Sequence, residues 1–231
     1  FTKGIEINCA EIIVAEGNFH GRTTTIVGFS SDREYKKGFG PFADGFIEAE
    51  YCRTNCDCSK VCENSIRSIK NAINKNTCAV IVEPIQGEGG IITPQSGWLK
   101  QLRELCNESN VLLILDEIQS GLGRTGKLFA FEHEDIKPDG LILGKALGGG
   151  LLPVSAFLSS KEVMNHFNPG SHGSTFGGNP LAAKVASKAL DLLFEDNLIE
   201  NSKIMGAYLK QKLSEMNHGF IKEIRGKGLW I

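Results

Sequence analysis

The stretch LLILDEIQSGLGRTGK, residues 112–127, is the most informative about the fold. It joins an apolar run ending in Asp116 to a glycine-rich loop, and the spacing from Gly121 to Lys127 fits the G-x-x-x-x-G-K pattern of a phosphate-binding loop. In nucleotide hydrolases, however, the glycine loop precedes the acidic strand, and its lysine is followed by Ser or Thr. Here the loop follows the acidic run and Leu128 follows the lysine. We therefore interpret the loop as a tight turn that glycine permits.

Outward from this stretch, short apolar runs alternate with helical patterns. Continuous runs of β-branched residues and leucine predict buried strands at Glu11–Ala15, Cys78–Val82, Val111–Leu115, Gly140–Leu143 and Val154–Leu158. Apolar residues at helical spacing predict helices at Glu63–Lys75 and Ser96–Asn110. The alternation predicts an α/β fold, with a mainly parallel sheet and helices on both of its faces.

The pattern changes after Asn179 and Pro180. Two long helices are predicted at Leu181–Phe194 and Leu198–Met216, followed by a strand at Phe220–Ile224. We place a domain boundary near residue 195, between a large domain at 1–195 and the start of a smaller α/β domain at 196–231. Because the chain begins with Phe1 and not with methionine, we expect both domains to be incomplete parts of a longer polypeptide.

Composition excludes several classes of protein. The 231 residues are 41% hydrophobic and 23% charged, which is typical of a globular domain with a core. A net charge of −2 with both signs interspersed gives no basic surface for nucleic acid. The apolar runs are shorter than the roughly 20 residues of a membrane helix, so no membrane partner is expected. The expected location is the cytoplasm, with the mitochondrial matrix as the alternative.

The seven cysteines fall into two groups. Cys9, Cys78 and Cys106 lie in apolar segments and are predicted to be small core residues. The other four lie in the polar stretch YCRTNCDCSKVC at 51–62, with C-x3-C-x-C-x3-C spacing. Metal sites usually pair cysteines as C-x2-C, so no metal is assigned, and a surface insertion with reduced thiols is favoured over a metal or redox site.

Polar residues follow three of the predicted strands. Ligands of parallel sheets bind beyond the carboxyl ends of the strands, so Glu83, Asp116 and Lys145 are candidates. Lys145 stands between an apolar strand and three glycines, and we expect it to lie near buried surface, where its amine would be nucleophilic. A buried Asp116 needs a partner, because an isolated buried carboxylate is costly. Taken alone, a solvated loop lysine and a turn-capping aspartate remain alternatives.

Several longer segments, in order and spacing, resemble the class III aminotransferases that use pyridoxal phosphate, and within them the ornithine aminotransferases. The resemblance covers nearly the whole chain, and LGKALGGG and HGSTFGGNP are its most specific blocks. The segments that carry it are NFHGRT (18–23), GFGPF (38–42), VEPIQGEGG (82–90), LDEIQSGLGRTGKLFAFE (115–132), LILGKALGGGLLPVSA (141–156), GSHGSTFGGNPLA (170–182) and RGKGL (225–229).

The resemblance implies the large domain of a fold type I pyridoxal-phosphate-dependent transferase and a role for each matching residue. Lys145 would hold the cofactor's aldehyde carbon and carry the proton, and Asp116 would pair with the ring nitrogen. The other cofactor contacts implied are Gln119 to the phenolic oxygen, Phe19 by stacking, His20, and Ser174 and Thr175 at the phosphate. Arg22, Glu83 and Glu88 are assigned to the substrate.

The implied reaction transfers the δ-amino group of ornithine to 2-oxoglutarate, giving glutamate 5-semialdehyde and glutamate. The implied assembly is a homodimer with shared active sites, in which Thr175 reaches the cofactor of the neighbouring subunit. Acetylornithine or 4-aminobutyrate aminotransferases use the same lysine and aspartate, and an inactive relative of the fold is a further alternative.

Overall fold

The computed structural model describes residues 4–53, 59–216 and 218–231. For residues 59–61 it describes the backbone only. These residues form two compact units. Unit 1 comprises Phe1–Asp116 and Phe131–Pro138, and unit 2 comprises Glu117–Ala130 and Asp139–Ile231.

Unit 1 is built on four parallel strands. In chain order its elements are β1 (Glu11–Ala15), α1 (Thr24–Gly28), β2 (Phe46–Ala49), α2 (Ser59–Ala72), β3 (Thr77–Val82), α3 (Trp98–Glu108) and β4 (Leu112–Asp116). β1 pairs with β2 on one side and with β3 on the other, and β3 also pairs with β4. The strand order is therefore β2-β1-β3-β4.

The sheet of unit 1 has a continuous apolar row. Ile13 on β1 is in register with Val80 on β3, which is in register with Leu113 on β4. All three side chains are fully buried. Buried, parallel strands require apolar residues on successive positions, which explains the continuous runs in the sequence.

Helices α2 and α3 are tied together by Trp98. Its ring is buried and packs edge-on against Tyr51, with the centroids 4.9 Å apart. Its indole nitrogen donates to Ser65 Oγ at 3.0 Å, and that hydroxyl donates to the carbonyl of Glu50 at 2.8 Å. A buried tryptophan needs such a partner for its N–H, so this network fixes α3 against α2.

The cysteines differ from expectation. Cys52 and Cys62 are buried and form a disulfide, so the prediction of reduced surface thiols is wrong for this pair. The physical reason is that Cys52 directly follows the buried Tyr51, which carries it into the core. Cys56 and Cys58 lie outside the described residues. Cys106 is buried as predicted, whereas Cys78 is half-buried and Cys9 is exposed.

Unit 2 contains an antiparallel strand pair and the long helices. Its elements are β5 (Gly140–Leu143), β6 (Ala156–Ser159), α4 (Lys161–Met164), α5 (Pro180–Glu195) and α6 (Leu198–Glu215). β5 and β6 pair antiparallel, with Leu141 opposite Leu158. The Asn179 side chain caps α5 by accepting from the backbone N–H groups of Leu181 and Ala182, and Pro180 occupies the first helical position.

The glycine loop at 121–127 packs against α6 within unit 2. A Cβ at Gly126 would lie 2.8 Å from Lys203 Cβ, and Ser202 Oγ donates to the carbonyl of Arg124 at 2.9 Å. Gly126 also has a φ of +80°, a conformation that favours glycine. Glycine therefore allows this loop to turn tightly, as predicted from the sequence. It also allows the loop to pack closely against α6.

The mostly parallel α/β architecture is confirmed, with differences in detail. β2 was not predicted, because its four residues are few and include the exposed Glu48. The strand predicted at Phe220–Ile224 is wrong: no strand forms there within the described part of the chain, and Phe220 is 89% exposed. A short apolar run without a neighbouring strand cannot satisfy its backbone as a sheet. The predicted boundary at residue 195 coincides with the end of α5 and stays a prediction.

Over the described residues, no helix is both long and apolar enough to cross a membrane.

Candidate active site

The candidate residues of unit 1 lie just beyond the carboxyl ends of β1, β3 and β4. Phe19 and His20 follow β1, Glu83 follows β3, and Asp116 is the last residue of β4. Because these strands are parallel, their carboxyl ends lie at one edge of the sheet. The structure therefore brings four residues predicted separately into one neighbourhood.

His20 and Asp116 form a buried pair. His20 Nδ1 lies 2.7 Å from Asp116 Oδ2, and the two side chains are 2% and 4% exposed. The histidine donates, because a carboxylate only accepts. His20 Nε2 is buried and has no hydrogen-bond partner among the residues described. The pair supplies the partner that a carboxylate at the end of an apolar strand requires.

The carboxylate of Glu83 accepts backbone hydrogen bonds from two loops. One carboxylate oxygen accepts the backbone N–H of Phe19 at 2.9 Å, and the other accepts that of Gly87 at 3.1 Å. Both oxygens are thus engaged by main chain, and the side chain is 4% exposed. In this structure Glu83 positions the loop that carries Phe19. Its assignment to the substrate stays a prediction.

Burial raises the pKa of Glu83 from 4.5 to about 7. The charge of His20 and the two backbone N–H groups oppose this rise in pKa, and the neighbouring Asp116 adds to it. The carboxyl group of Glu83 therefore changes charge near neutral pH, beside the buried His20 and Asp116.

Arg22 is exposed and lies against aromatic rings. Its guanidinium carbon is 4.1 Å from the centroid of the Tyr35 ring and 5.6 Å from that of Phe19. The two rings meet edge to face, with centroids 5.8 Å apart. A cation over a ring face is attracted by its electrons, so the two rings hold the guanidinium of Arg22.

Arg22 also lines a cavity of about 440 Å³. The other lining residues are Thr24, Val27, Tyr35, Phe39, Gly40 and Phe42. The cavity is therefore mostly apolar and aromatic, with one cation. Glu88, which is also predicted to contact the substrate, is exposed as well.

Lys145 belongs to unit 2 and begins a short 3-10 helix, Lys145–Gly148, after β5. The preceding Gly144 is buried, and a Cβ there would lie 3.4 Å from the side chain of Ile118. Lys145 itself has a φ of +43°, an uncommon conformation for a residue with a side chain. Backbone strain of this kind concentrates at functional sites.

The expectation that Lys145 lies near buried surface is wrong, because its side chain is exposed. The chain leaves the core at Gly144 and turns sharply, which directs the next residue outward. Lys145 lines a cavity of about 430 Å³ together with Gly148, Gly150, Leu151, Leu152, Pro153 and Val154. Its amine is therefore accessible to a ligand.

Ser174 and Thr175 are exposed residues of the loop before α5. Ser174 Oγ accepts the backbone N–H of Gly177 at 3.2 Å, whereas the cap of α5 is Asn179. Ser174 lines a second cavity, of about 500 Å³, that shares Pro153 and Val154 with the cavity of Lys145. Within unit 2, the lysine and the hydroxyl loop thus flank one segment of chain.

Gln119 lies half-buried in the turn that opens unit 2. This turn is held by Glu117, which is 1% exposed and accepts from Ser120 Oγ at 3.1 Å and from the backbone N–H of Ala130 at 2.8 Å. The buried carboxylate therefore fixes the conformation around Gln119.

Sequence reasoning missed two tyrosines. Tyr51 is buried, and its hydroxyl donates to the carbonyls of Glu83 and Pro84 at 2.9 and 3.3 Å. Tyr35 contacts Arg22 and Phe19, which are 13 and 16 positions earlier in the sequence. Neither position carries a local pattern that distinguishes it, because both contacts are made by the fold.

The chain is similar to known proteins over nearly its whole length. Residues 3–231 match the family described as Aminotransferase class-III. The ornithine aminotransferase of Brevibacillus brevis is 54% identical over 229 residues, which cover 99% of this chain and 54% of that protein. The chain spans about half the length of the curated relatives it matches.

Solved structures share the fold. An ornithine aminotransferase from Toxoplasma gondii, whose active site shows partial occupancy of pyridoxal phosphate, matches with a TM-score of 0.90 and 42% identity, covering 98% of this chain and 51% of that one. An acetylornithine aminotransferase from Elizabethkingia anophelis matches with a TM-score of 0.80 and 46% identity, covering 99% and 53%. With the family match over nearly all residues, the chain belongs to the class-III aminotransferases.

Proposed function

We propose that the full-length protein is a pyridoxal-phosphate-dependent aminotransferase that moves the δ-amino group of ornithine to 2-oxoglutarate. The products are glutamate 5-semialdehyde and glutamate. The observation that carries the proposal is the buried pair of His20 and Asp116 at the end of β4. The 54% identity to an ornithine aminotransferase supports the choice of substrate.

The residues fit the cofactor chemically. A buried carboxylate held by histidine suits a protonated ring nitrogen, and an aromatic side chain such as Phe19 suits the face of the ring. An accessible amine at Lys145 suits the aldehyde, and the hydroxyls of Ser174 and Thr175 suit a phosphate. His20 acts through Asp116, and Gln119 is proposed for the phenolic oxygen.

When bound, pyridoxal phosphate supplies an electron sink for charge on the substrate carbon. The chain's own residues supply the rest. Asp116 would supply the counter-ion for the ring nitrogen, and His20 fixes the direction of that carboxylate by a hydrogen bond. Lys145 would hold the cofactor through its amine, and the same amine would carry the proton to and from the reacting carbon.

Arg22 is proposed to bind a substrate carboxylate. Five N–H donors in a planar fork suit two carboxylate oxygens, and Arg22 is exposed in this structure. Glu88, exposed on the neighbouring loop, is proposed to discriminate between the amine and oxo-acid substrates.

A homodimer with shared active sites is proposed from the family resemblance, with Thr175 directed to the cofactor phosphate of the neighbouring subunit. The exposure of the 171–178 loop supports this, since the loop is free to meet another chain.

Steady-state kinetics on the full-length protein test the substrate. We expect kcat/KM for ornithine with 2-oxoglutarate to exceed that for N-acetylornithine and for 4-aminobutyrate. The second candidate function is acetylornithine aminotransferase, which the 46% identity to the Elizabethkingia enzyme favours. A higher kcat/KM for N-acetylornithine would overturn the ornithine assignment and leave the reaction class intact.

A further inference from the structure

We propose that Tyr35 is a positioning residue for substrate recognition, which holds the guanidinium of Arg22 by its face and presents the N–H edge to a carboxylate of the amino-acid substrate. This inference rests on the proposed function. It adds a residue that neither the sequence motifs nor the fold of the family singles out in this chain.

The contact between the two side chains is close and oriented. The guanidinium carbon lies 4.1 Å from the ring centroid of Tyr35, well within the roughly 6 Å at which a cation and a ring face attract. Phe19 flanks the same guanidinium at 5.6 Å and meets Tyr35 edge to face. Arg22 is therefore held by two aromatic rings that are also in contact with each other.

The guanidinium N–H groups of Arg22 have no partner among the side chains and backbone that the structure describes. Across residues 4–53, 62–216 and 218–231, no carboxylate forms an ion pair with them, and they donate no hydrogen bond. The five donors thus remain for a ligand beside the cavity of about 440 Å³ that Arg22 and Tyr35 line together. An arginine held against a ring, with its donors unpaired, can bind a carboxylate with two parallel hydrogen bonds.

Tyr35 is itself fixed by its turn. It ends a short 3-10 helix, Arg33–Tyr35, whose first turn is capped by Asp32 accepting from the backbone N–H of Glu34 at 2.9 Å. Phe19 is fixed as well, since Glu83 accepts its backbone N–H. Two separately anchored rings thus restrict the rotamers of a long side chain, which reduces the entropy lost when a carboxylate binds.

The effect should appear in binding and in KM. We expect Tyr35→Leu in the full-length holoenzyme to raise the Kd for glutarate, a carboxylate probe measured by calorimetry, about two- to fivefold, the factor for an exposed cation–π contact. KM for ornithine should rise by a similar factor while kcat is unchanged. Tyr35→Phe keeps the ring and should behave as wild type in both measurements.

The matched test places the same change in an Arg22→Gln background. An uncharged amide makes no cation–π contact and lacks the guanidinium fork, so Tyr35→Leu should add little to the loss already caused by Arg22→Gln. If Tyr35→Leu does not fold, Tyr35→Gln removes the ring and keeps a long polar side chain on the exposed turn.

The outcomes are distinct. A Tyr35→Leu loss of the same size with and without Arg22→Gln would overturn the inference, because Tyr35 would then act through another group. Unchanged glutarate binding in Tyr35→Leu, or an equal loss in Tyr35→Phe, would also overturn it. Failure of the proposed function would appear separately, as no turnover of ornithine by the wild-type protein, and glutarate binding would still decide the role of Tyr35.

Discussion

Single side chains set the chemistry of unit 1, and Asp116 is the most constrained of them. It is buried at the end of an apolar strand and paired with His20 at 2.7 Å. Removing such a partner leaves an uncompensated buried group, so the pair is held strongly by its surroundings. This arrangement keeps a carboxylate in a place where the sheet alone would not favour one.

The substitution Asp116→Asn removes the negative charge of the side chain and keeps its size and shape. The amide oxygen can still accept from His20 Nδ1, so we expect the fold and cofactor attachment to survive. The counter-ion for the ring nitrogen is lost, and kcat should fall by about 10²- to 10⁴-fold, the range for assisted proton transfer. Single-turnover kinetics with ornithine measure this, and the thermal midpoint serves as control. A kcat near that of the wild type would contradict the role given to Asp116.

Glu83 links pH to stability. Its pKa in the folded protein is raised by burial from 4.5 to about 7. Between these pH values Glu83 keeps a proton in the folded protein that it releases in the unfolded chain, so its contribution to stability falls as pH rises through this window and is constant outside it. The fall is on the order of 3 kcal/mol.

Glu83→Gln tests this, because an amide does not titrate. The thermal midpoint of the wild-type protein should fall relative to that of the variant as pH rises from 4.5 to 7. The variant should also show a loss of stability that does not depend on pH, since an amide cannot accept from both Phe19 and Gly87. Parallel midpoints across this pH window would contradict the raised pKa.

Helices and strands place these side chains, and their predictability from sequence differs. The central strands β1 and β3 to β5 were predicted within one residue at their ends, because burial on both faces demands continuous apolar runs. The helices α5 and α6 were predicted equally well, from apolar residues at helical spacing. The strand at Phe220–Ile224 failed because pairing depends on a neighbour, which local sequence does not reveal.

The candidate site was predictable to a different extent. Residues at strand ends, such as Asp116 and Glu83, were identified because an acid after an apolar run is unusual. The exposure of Lys145 was not predicted, since it depends on the backbone φ of +43° at this residue. The contact of Tyr35 with Arg22 was missed because it depends on the conformation of the intervening segment, which includes α1.

The docking of the glycine loop on α6 gives a test of packing. Gly126→Ala would place a Cβ 2.8 Å from Lys203 Cβ, at a φ of +80°. Gly170→Ala is the matched control, because Gly170 has a φ of +85° with no heavy atom within 4 Å of the added Cβ. We expect Gly126→Ala to lower the free energy of unfolding by about 1–3 kcal/mol more than the control, the usual effect of overpacking. Equal losses in urea denaturation would show that only backbone strain matters.

At the scale of the whole molecule, the residues of the proposed site are found in both compact units. Unit 1 carries the aspartate, the stacking ring and Arg22, and unit 2 carries Lys145 and the hydroxyl loop. The relatives are nearly twice as long as this chain, and large apolar residues of α5 and α6 such as Leu181 and Ile204 are 64% and 57% exposed. The proposed homodimer requires covering surfaces of this kind.

The central claim is that Lys145 anchors pyridoxal phosphate. The measurement is peptide mass spectrometry after the full-length protein is incubated with the cofactor and reduced with borohydride, with Lys145→Ala as control. We predict a reduced pyridoxyl group confined to the peptide that contains Lys145, and none in the variant. A folded wild-type protein without the group, or with it on another lysine, would contradict the account.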